Sequence, residues 1–163
     1  MTALVDLTDY ASIRAALGLS SKELSDTTLA TPFYILGVKA DLRTIDSTLP
    51  ATVDAAIAAP SSTTRTAFLE VVSLFTIYST ALRCFDTFTN LIPKSITDGK
   101  AGLIRHTDKL ALGDKAQISE RFAQAGQDLR SAVSVYQGSA ALAIVQPTLM
   151  AVSSPDYDPI TGV

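Results

Sequence analysis

The fold turns on one stretch: Ala67-Phe-Leu-Glu-Val-Val-Ser-Leu-Phe-Thr-Ile-Tyr-Ser-Thr-Ala-Leu-Arg-Cys-Phe-Asp-Thr-Phe88. Polar residues recur every three or four positions, at Thr66, Glu70, Ser73, Thr76, Thr80, Arg83 and Thr87, and the residues between them are largely apolar. That is the period of an α-helix with one thin polar stripe, and such a helix is surrounded on most sides. Pro60-Ser61-Ser62 and Pro93 bound it, so it spans about 62–91 and roughly 40 Å. Phe68, Val71, Val72, Phe75, Tyr78, Leu82 and Phe85 take one side, and Leu74, Ile77, Ala81, Cys84 and Phe88 the other. The polar stripe, Thr76 included, is the side left for solvent. A membrane span is the competing reading. The uncharged run 71–82 is too short for ~30 Å of hydrocarbon, and Glu70 and Arg83 bracket it closely.

Outward from this spine the chain punctuates itself. Thr8 reads as the N-cap of a first helix with Asp9 at the positive end of its dipole, Ile13, Ala16 and Leu17 form its apolar face, and Gly18 stops it. Ser20-Ser21-Lys22-Glu23 reads as a capping box for a single turn. A second helix is expected over 26–45, with Pro32 in a first turn or at a kink behind Thr31. Phe33, Leu36 and Ala40, with Leu42 and Ile45 on a neighbouring stripe, make its apolar face. A short Ala-rich helix covers 50–59. After the spine, 94–106 is a turn-rich connector centred on Asp98-Gly99, which predicts a short hairpin-like or irregular excursion. The last helix is expected over 114–136, with Ile118, Phe122, Ala125, Leu129, Ala132, Val133 and Tyr136 on one face.

Beyond Gly138 no Lys or Arg occurs, and 153–163 holds two prolines, two acids and a lone aromatic, too little to build a core. The fold class is therefore mainly α. A helical bundle domain over 1–137 surrounds the central apolar helix and carries the short hairpin-like connector; an extended C-terminal segment and arm occupies 138–163.

Chemistry is sparse. The 163 residues carry a net charge of −3, which argues against a basic face that wraps nucleic acid. With 47% hydrophobic and 18% charged residues, some apolar surface is expected to meet partners. One His and one Cys cannot build a structural zinc site, and Asp156 and Asp158 read as solvated acids. His106 would have to serve as base in any nucleophilic scheme, yet no Gly-x-Ser-x-Gly elbow accompanies it. Gly99-Lys-Ala-Gly102 has the spacing of one class of RNA-binding loop but lacks the flanking α/β pattern. Lys100, Arg105, Lys109 and Lys115 gather positive charge in one region. Cys84 reads as core, where thiols are inert. The opening Met1-Thr-Ala-Leu-Val-Asp6 lacks a basic n-region, so nothing suggests export. No catalytic, cofactor or metal residue is assigned, and the chain is not read as an enzyme.

Lys94-Ser-Ile-Thr-Asp-Gly-Lys-Ala-Gly-Leu-Ile-Arg105, set between a long apolar helix and an amphipathic one, resembles the head–tail connector (adaptor, or head completion) proteins of tailed bacteriophages. Asp9-Tyr-Ala-Ser-Ile-Arg-Ala-Ala-Leu-Gly-Leu-Ser-Ser-Lys-Glu-Leu24 and Tyr157-Asp-Pro-Ile-Thr-Gly162 look like the same family. The resemblance implies a structural virion protein, assembled in the host cytoplasm, that forms a ring, typically of twelve. Such a ring joins the portal to the next tail, stopper or nozzle component and extends the DNA conduit without reading sequence. It implies no cofactor, no membrane and no catalytic residues. The apolar 139–152 departs from the simplest adaptor pattern. Portal or subunit contacts are expected from Asp98, Lys100 and Arg105 on the connector. On the arm they are expected from Tyr157, Asp158, Pro159 and Ile160, where Pro155 and Pro159 bias the backbone to extended geometry. Two other classes stay open: a small helical binding or regulatory module for a peptide or partner helix, and an enzyme centred on His106 and Lys100.

Overall fold

Thr63–Leu91 is one continuous helix, and the larger elements gather around it. The chain is a computed structural model describing residues 3–91, 96–98, 101–103 and 115–144, with side chains at 3–87 and 115–138. A 3₁₀ turn at Leu4–Asp6 precedes α1 (Tyr10–Leu17), α2 (Asp26–Leu29), α3 (Pro32–Ile45), α4 (Leu49–Ala58) and α5 (Thr63–Leu91). Then come β1 (Ile96–Asp98), β2 (Ala101–Leu103) and α6 (Lys115–Ile144). The architecture is mainly helical, as the periodicity predicts. The two strands form the expected hairpin, antiparallel with Ile96 opposite Leu103 and Asp98 opposite Ala101.

Local chemistry explains the boundaries. Asp9, not Thr8, is the N-cap of α1: its carboxylate accepts the Ser12 N–H at 2.7 Å and the Ser12 hydroxyl at 2.8 Å. These bonds hold Asp9 below the ordinary carboxylate range. The cap therefore contributes at neutral pH and is lost as pH falls through that lowered value. Gly18 ends α1 at φ 69°, the left-handed geometry only glycine adopts freely. Glu23 reaches back to the Ser20 N–H at 2.8 Å, half of the predicted capping box. The predicted helix over 26–45 is two helices, because Pro32 starts α3 at its first position. α6 passes Gly138 and runs to Ile144, so 138–144 is helical rather than extended, and the rest of the predicted arm lies outside the described residues. A helical Gly with open space around it interrupts nothing.

α6 lies antiparallel along α5, pairing Phe68 with Tyr136 (stacked, 4.5 Å) and Phe75 with Phe122 (5.1 Å). Lys115 meets Asp86 at the other end, at 2.5 Å. α1, α3 and α4 also pack on α5. The core is contiguous from Leu4 through Ile13, Leu17, Val38, Leu42, Leu49 and Val53 to Phe68, Val72, Phe75 and Leu129. Arg65 at the start of α5 donates to the carbonyls of Ala56 (2.6 Å) and Ile57 (3.1 Å), closing the C-terminus of α4.

Two expectations about faces are overturned. The polar stripe of α5 faces solvent only at its start, where Thr66 and Glu70 are exposed; in its middle Thr76 and Thr80 are buried, as is neighbouring Ser79. The Thr76 hydroxyl bonds the Val72 carbonyl one turn back at 2.8 Å, and what it presents outward is a methyl group. A threonine bonded back in this way is effectively apolar towards its neighbours. On α3 the inward residues are Tyr34, Ile35, Val38 and Leu42, whereas Phe33 and Leu36 are 57% and 62% exposed. Both residue sets are apolar at helical spacing, so periodicity alone cannot choose between them. The stretch Thr63–Thr87 is long and apolar enough to cross a membrane by length and composition, but a core helix passes the same test, and 44% of its most apolar window is buried against the other helices.

Phe75→Ala should cost about 3–5 kcal/mol, from lost burial plus a cavity, while half-buried Leu82→Ala should cost less. The Thr80 hydroxyl is buried with no partner among the described residues, so Thr80→Val should stabilise by about 1 kcal/mol. Chemical denaturation reads all three. Two glycines should respond in opposite directions. A Cβ on Gly126 meets only the Phe75 ring, at 3.8 Å, so Gly126→Ala should gain about 0.5–1 kcal/mol of helix propensity. Gly37→Ala would drive into the Arg83 side chain and should lose about 1–3 kcal/mol.

Candidate functional site

A polar cluster forms where α3 crosses α5. Gly37 and Asp41, one turn apart on α3, face Ser79 and Arg83, one turn apart on α5. Arg83 Nη2 donates to Asp41 Oδ1 at 2.6 Å and to the Gly37 carbonyl at 3.1 Å. The Ser79 hydroxyl donates to Asp41 Oδ2, also at 2.6 Å. A Cβ on Gly37 would fall 2.6 Å from Arg83 Cζ, so the guanidinium lies on the helix only because residue 37 has no side chain. Both carboxylate oxygens are engaged, and the serine hydroxyl points at the carboxylate. This arrangement holds two helices in register and leaves no nucleophile or base aimed at a cleft.

A second cluster is Tyr34, Cys84 and Thr87, between α3 and α5. Burial pushes the Cys84 thiol up to about 11, against the opposing hydrogen bond from Tyr34, and burial also raises the Tyr34 phenol. Cys84 is core, as expected. Among the described residues no three His, Cys, Asp or Glu side chains are grouped as metal ligands. Arg14 spans from α1 to Asp26 and to the Leu24 carbonyl, tying α1 to the start of α2.

The other conspicuous features are apolar and outward-facing. Phe33, Leu36 and Ala40 form a ridge along α3, on the side opposite Val38 and Leu42, with exposed Arg43 one turn further on. Across the molecule, α5 and α6 leave between them a groove of about 360 Å³. Ala67, Phe68 and Val71 line it from α5, and Ser131, Ala132 and Val135 from α6, with Thr63 and Thr64 at one end. Val135 is 64% exposed and Leu74, on the same side of α5 as Ala67, is 49% exposed. Glu70 is exposed beside this groove, as is Asp128, whose Oδ1 accepts from Gln124 Nε2 at 2.9 Å. A smaller hollow of about 250 Å³ lies where Thr44 and Ile45 approach Phe75, Phe122 and Gly126.

Of the predicted contact residues, Asp98 ends β1 opposite Ala101, at the turn of the hairpin. Lys100, Arg105, Tyr157, Asp158, Pro159 and Ile160 lie outside the described residues, as does His106. The residues sequence reasoning passed over are Asp41, Gly37 and Arg65, together with the exposed role of Phe33 and Leu36. A Gly four residues before an Asp on one helix, and a Ser four before an Arg on another, was the available signal. No family model matches the chain, and no curated protein or solved structure matches it.

Cys84 should resist thiol reagents in the native protein at pH 8 and react fully in denaturant. Rapid native labelling, followed by a disulfide-exchange chromophore, would place the thiol outside the core.

Proposed function

We propose that this chain is a structural subunit of the head–tail junction of a tailed bacteriophage, one copy in a ring, typically of twelve, that docks on the portal and passes DNA through its lumen. The observation that carries this reading is the amount of large apolar side chain left uncovered on two separate faces of the helical body. Phe33 and Leu36 project from α3, and Leu74 and Val135 flank the α5/α6 groove. A monomer gains nothing from apolar groups held in water on both flanks, whereas a subunit with a neighbour on each side buries them. The hairpin Ile96–Leu103 supports the same reading, because it falls within the segment that carries the family resemblance. A mildly acidic conduit wall also suits a polymer that must slide through without binding tightly. On this reading the connector residues Asp98, Lys100 and Arg105 and the arm residues Tyr157, Asp158, Pro159 and Ile160 reach the portal or the adjacent subunit. The next tail component docks on the far side of the ring. No cofactor is required, and the virion is where the protein resides.

A second reading is favoured by the groove itself: a helical module that takes an amphipathic peptide between α5 and α6. Oligomeric state separates the two. On the ring reading, the full chain mixed with its phage's portal protein should give ring-shaped particles in negative stain. A chain lacking 155–163 should melt within about 2 °C of the full chain, since a segment with so little apolar area adds little to stability, and should lose most of its portal affinity. Unchanged docking of the truncated chain would remove the arm as anchor. A chain that stays monomeric alone and with the portal would leave the peptide-binding module as the better reading.

A further inference from the structure

We infer that the groove between α5 and α6 receives the α3 ridge of a second copy of this chain, so that neighbouring subunits meet head to tail. This rests on the ring-subunit reading and says which two surfaces make the ring.

The two patches differ in shape and match in length. The ridge is convex, with Phe33, Leu36 and Ala40 standing off one helix, and the groove is concave. From Phe33 to Arg43 is about 15 Å along α3, and from Thr63 to Leu74 about 16 Å along α5. Their charges complement each other. Arg43 ends the ridge with half-buried Lys39 beside it, while exposed Glu70 and Asp128 flank the groove towards its Leu74 end. With the neighbour's α3 running in the same direction as α5, Phe33 and Leu36 lie among Ala67, Val71 and Val135, and Arg43 arrives between the two acids.

Their placement selects the symmetry. α3 attaches to α5 through Ser79 and Arg83. Leu74 is five residues from Ser79, about 140° further around the helix. Ridge and groove are therefore separate patches on different elements, so one contact between two copies leaves a ridge free on one and a groove free on the other. A contact between two different patches repeats in one rotational sense, and it either closes into a ring or grows as a filament.

The test uses Leu36→Glu, which blocks the ridge, and Val135→Glu, which blocks the groove; both positions are exposed, so the fold should survive. Sedimentation of the full chain, alone and with its portal, should show wild type associating and each variant at least tenfold weaker. Mixing the two variants leaves one intact ridge and one intact groove per pair, so dimers and nothing larger should form. Arg43→Glu should weaken assembly, and Glu70→Arg with Asp128→Arg should restore it. If both variants assemble like wild type, the interface lies elsewhere while the ring reading stands. If the mixture stays monomeric although wild type assembles, another occupant holds the groove, whether residues 145–163 or a foreign peptide. A wild-type chain that never associates, with or without portal, overturns both.

Discussion

The close approach of α3 to α5 is the constraint on which the rest of the bundle depends. Arg83 has to lie flat on α3 to reach Asp41, and it can do so only over the bare backbone of Gly37. That contact fixes the distance between the helices, and Ser79, bonded to the other carboxylate oxygen, fixes their register. A half-buried ion pair of this kind adds little net stability, because desolvation offsets most of the Coulomb gain. Its effect is on geometry. It accompanies the rotation of α3 that buries Tyr34, Val38 and Leu42 and leaves Phe33 and Leu36 outside.

The distribution of polar and apolar groups then follows from how each side chain uses its polarity. Thr76 and Thr87 turn their hydroxyls onto their own helix, which makes nominally polar positions fit to be covered. Thr80 is the exception, a buried hydroxyl with no acceptor among the described residues. Conversely, the two sides of α5 read as apolar from sequence are only partly covered, since α6 lies along one and leaves Leu74 open. A helix that looks fully buried by composition is here half core and half surface.

Much of the fold was legible in the residues. The extent of α5, the two prolines that begin α3 and α4, the glycine that ends α1 and the hairpin around Asp98-Gly99 are local signals, each produced by backbone chemistry within a few positions. What was not legible depends on pairing between distant segments. Gly37 carries no mark that sets it apart from Gly138, which faces open space. The choice between Phe33–Leu36–Ala40 and Tyr34–Val38–Leu42 as the inward face of α3 is settled by packing against α4 and α5, the latter some forty residues away. Charge on a connector indicates that a surface is polar without indicating what it meets, so the sequence alone does not single out a contact partner for it.

The Arg65 cap has a consequence for how the bundle opens. The last carbonyls of a helix are usually satisfied by the residues that follow it or by water. In α4 they are held by a side chain from the first turn of α5, across the short linker 59–62. Fraying at the end of α4 therefore strips the donor from α5, and fraying at the start of α5 exposes the end of α4. The two helix ends act as one cooperative unit in local unfolding, and hydrogen exchange at 56–66 is set by a single opening event shared between them.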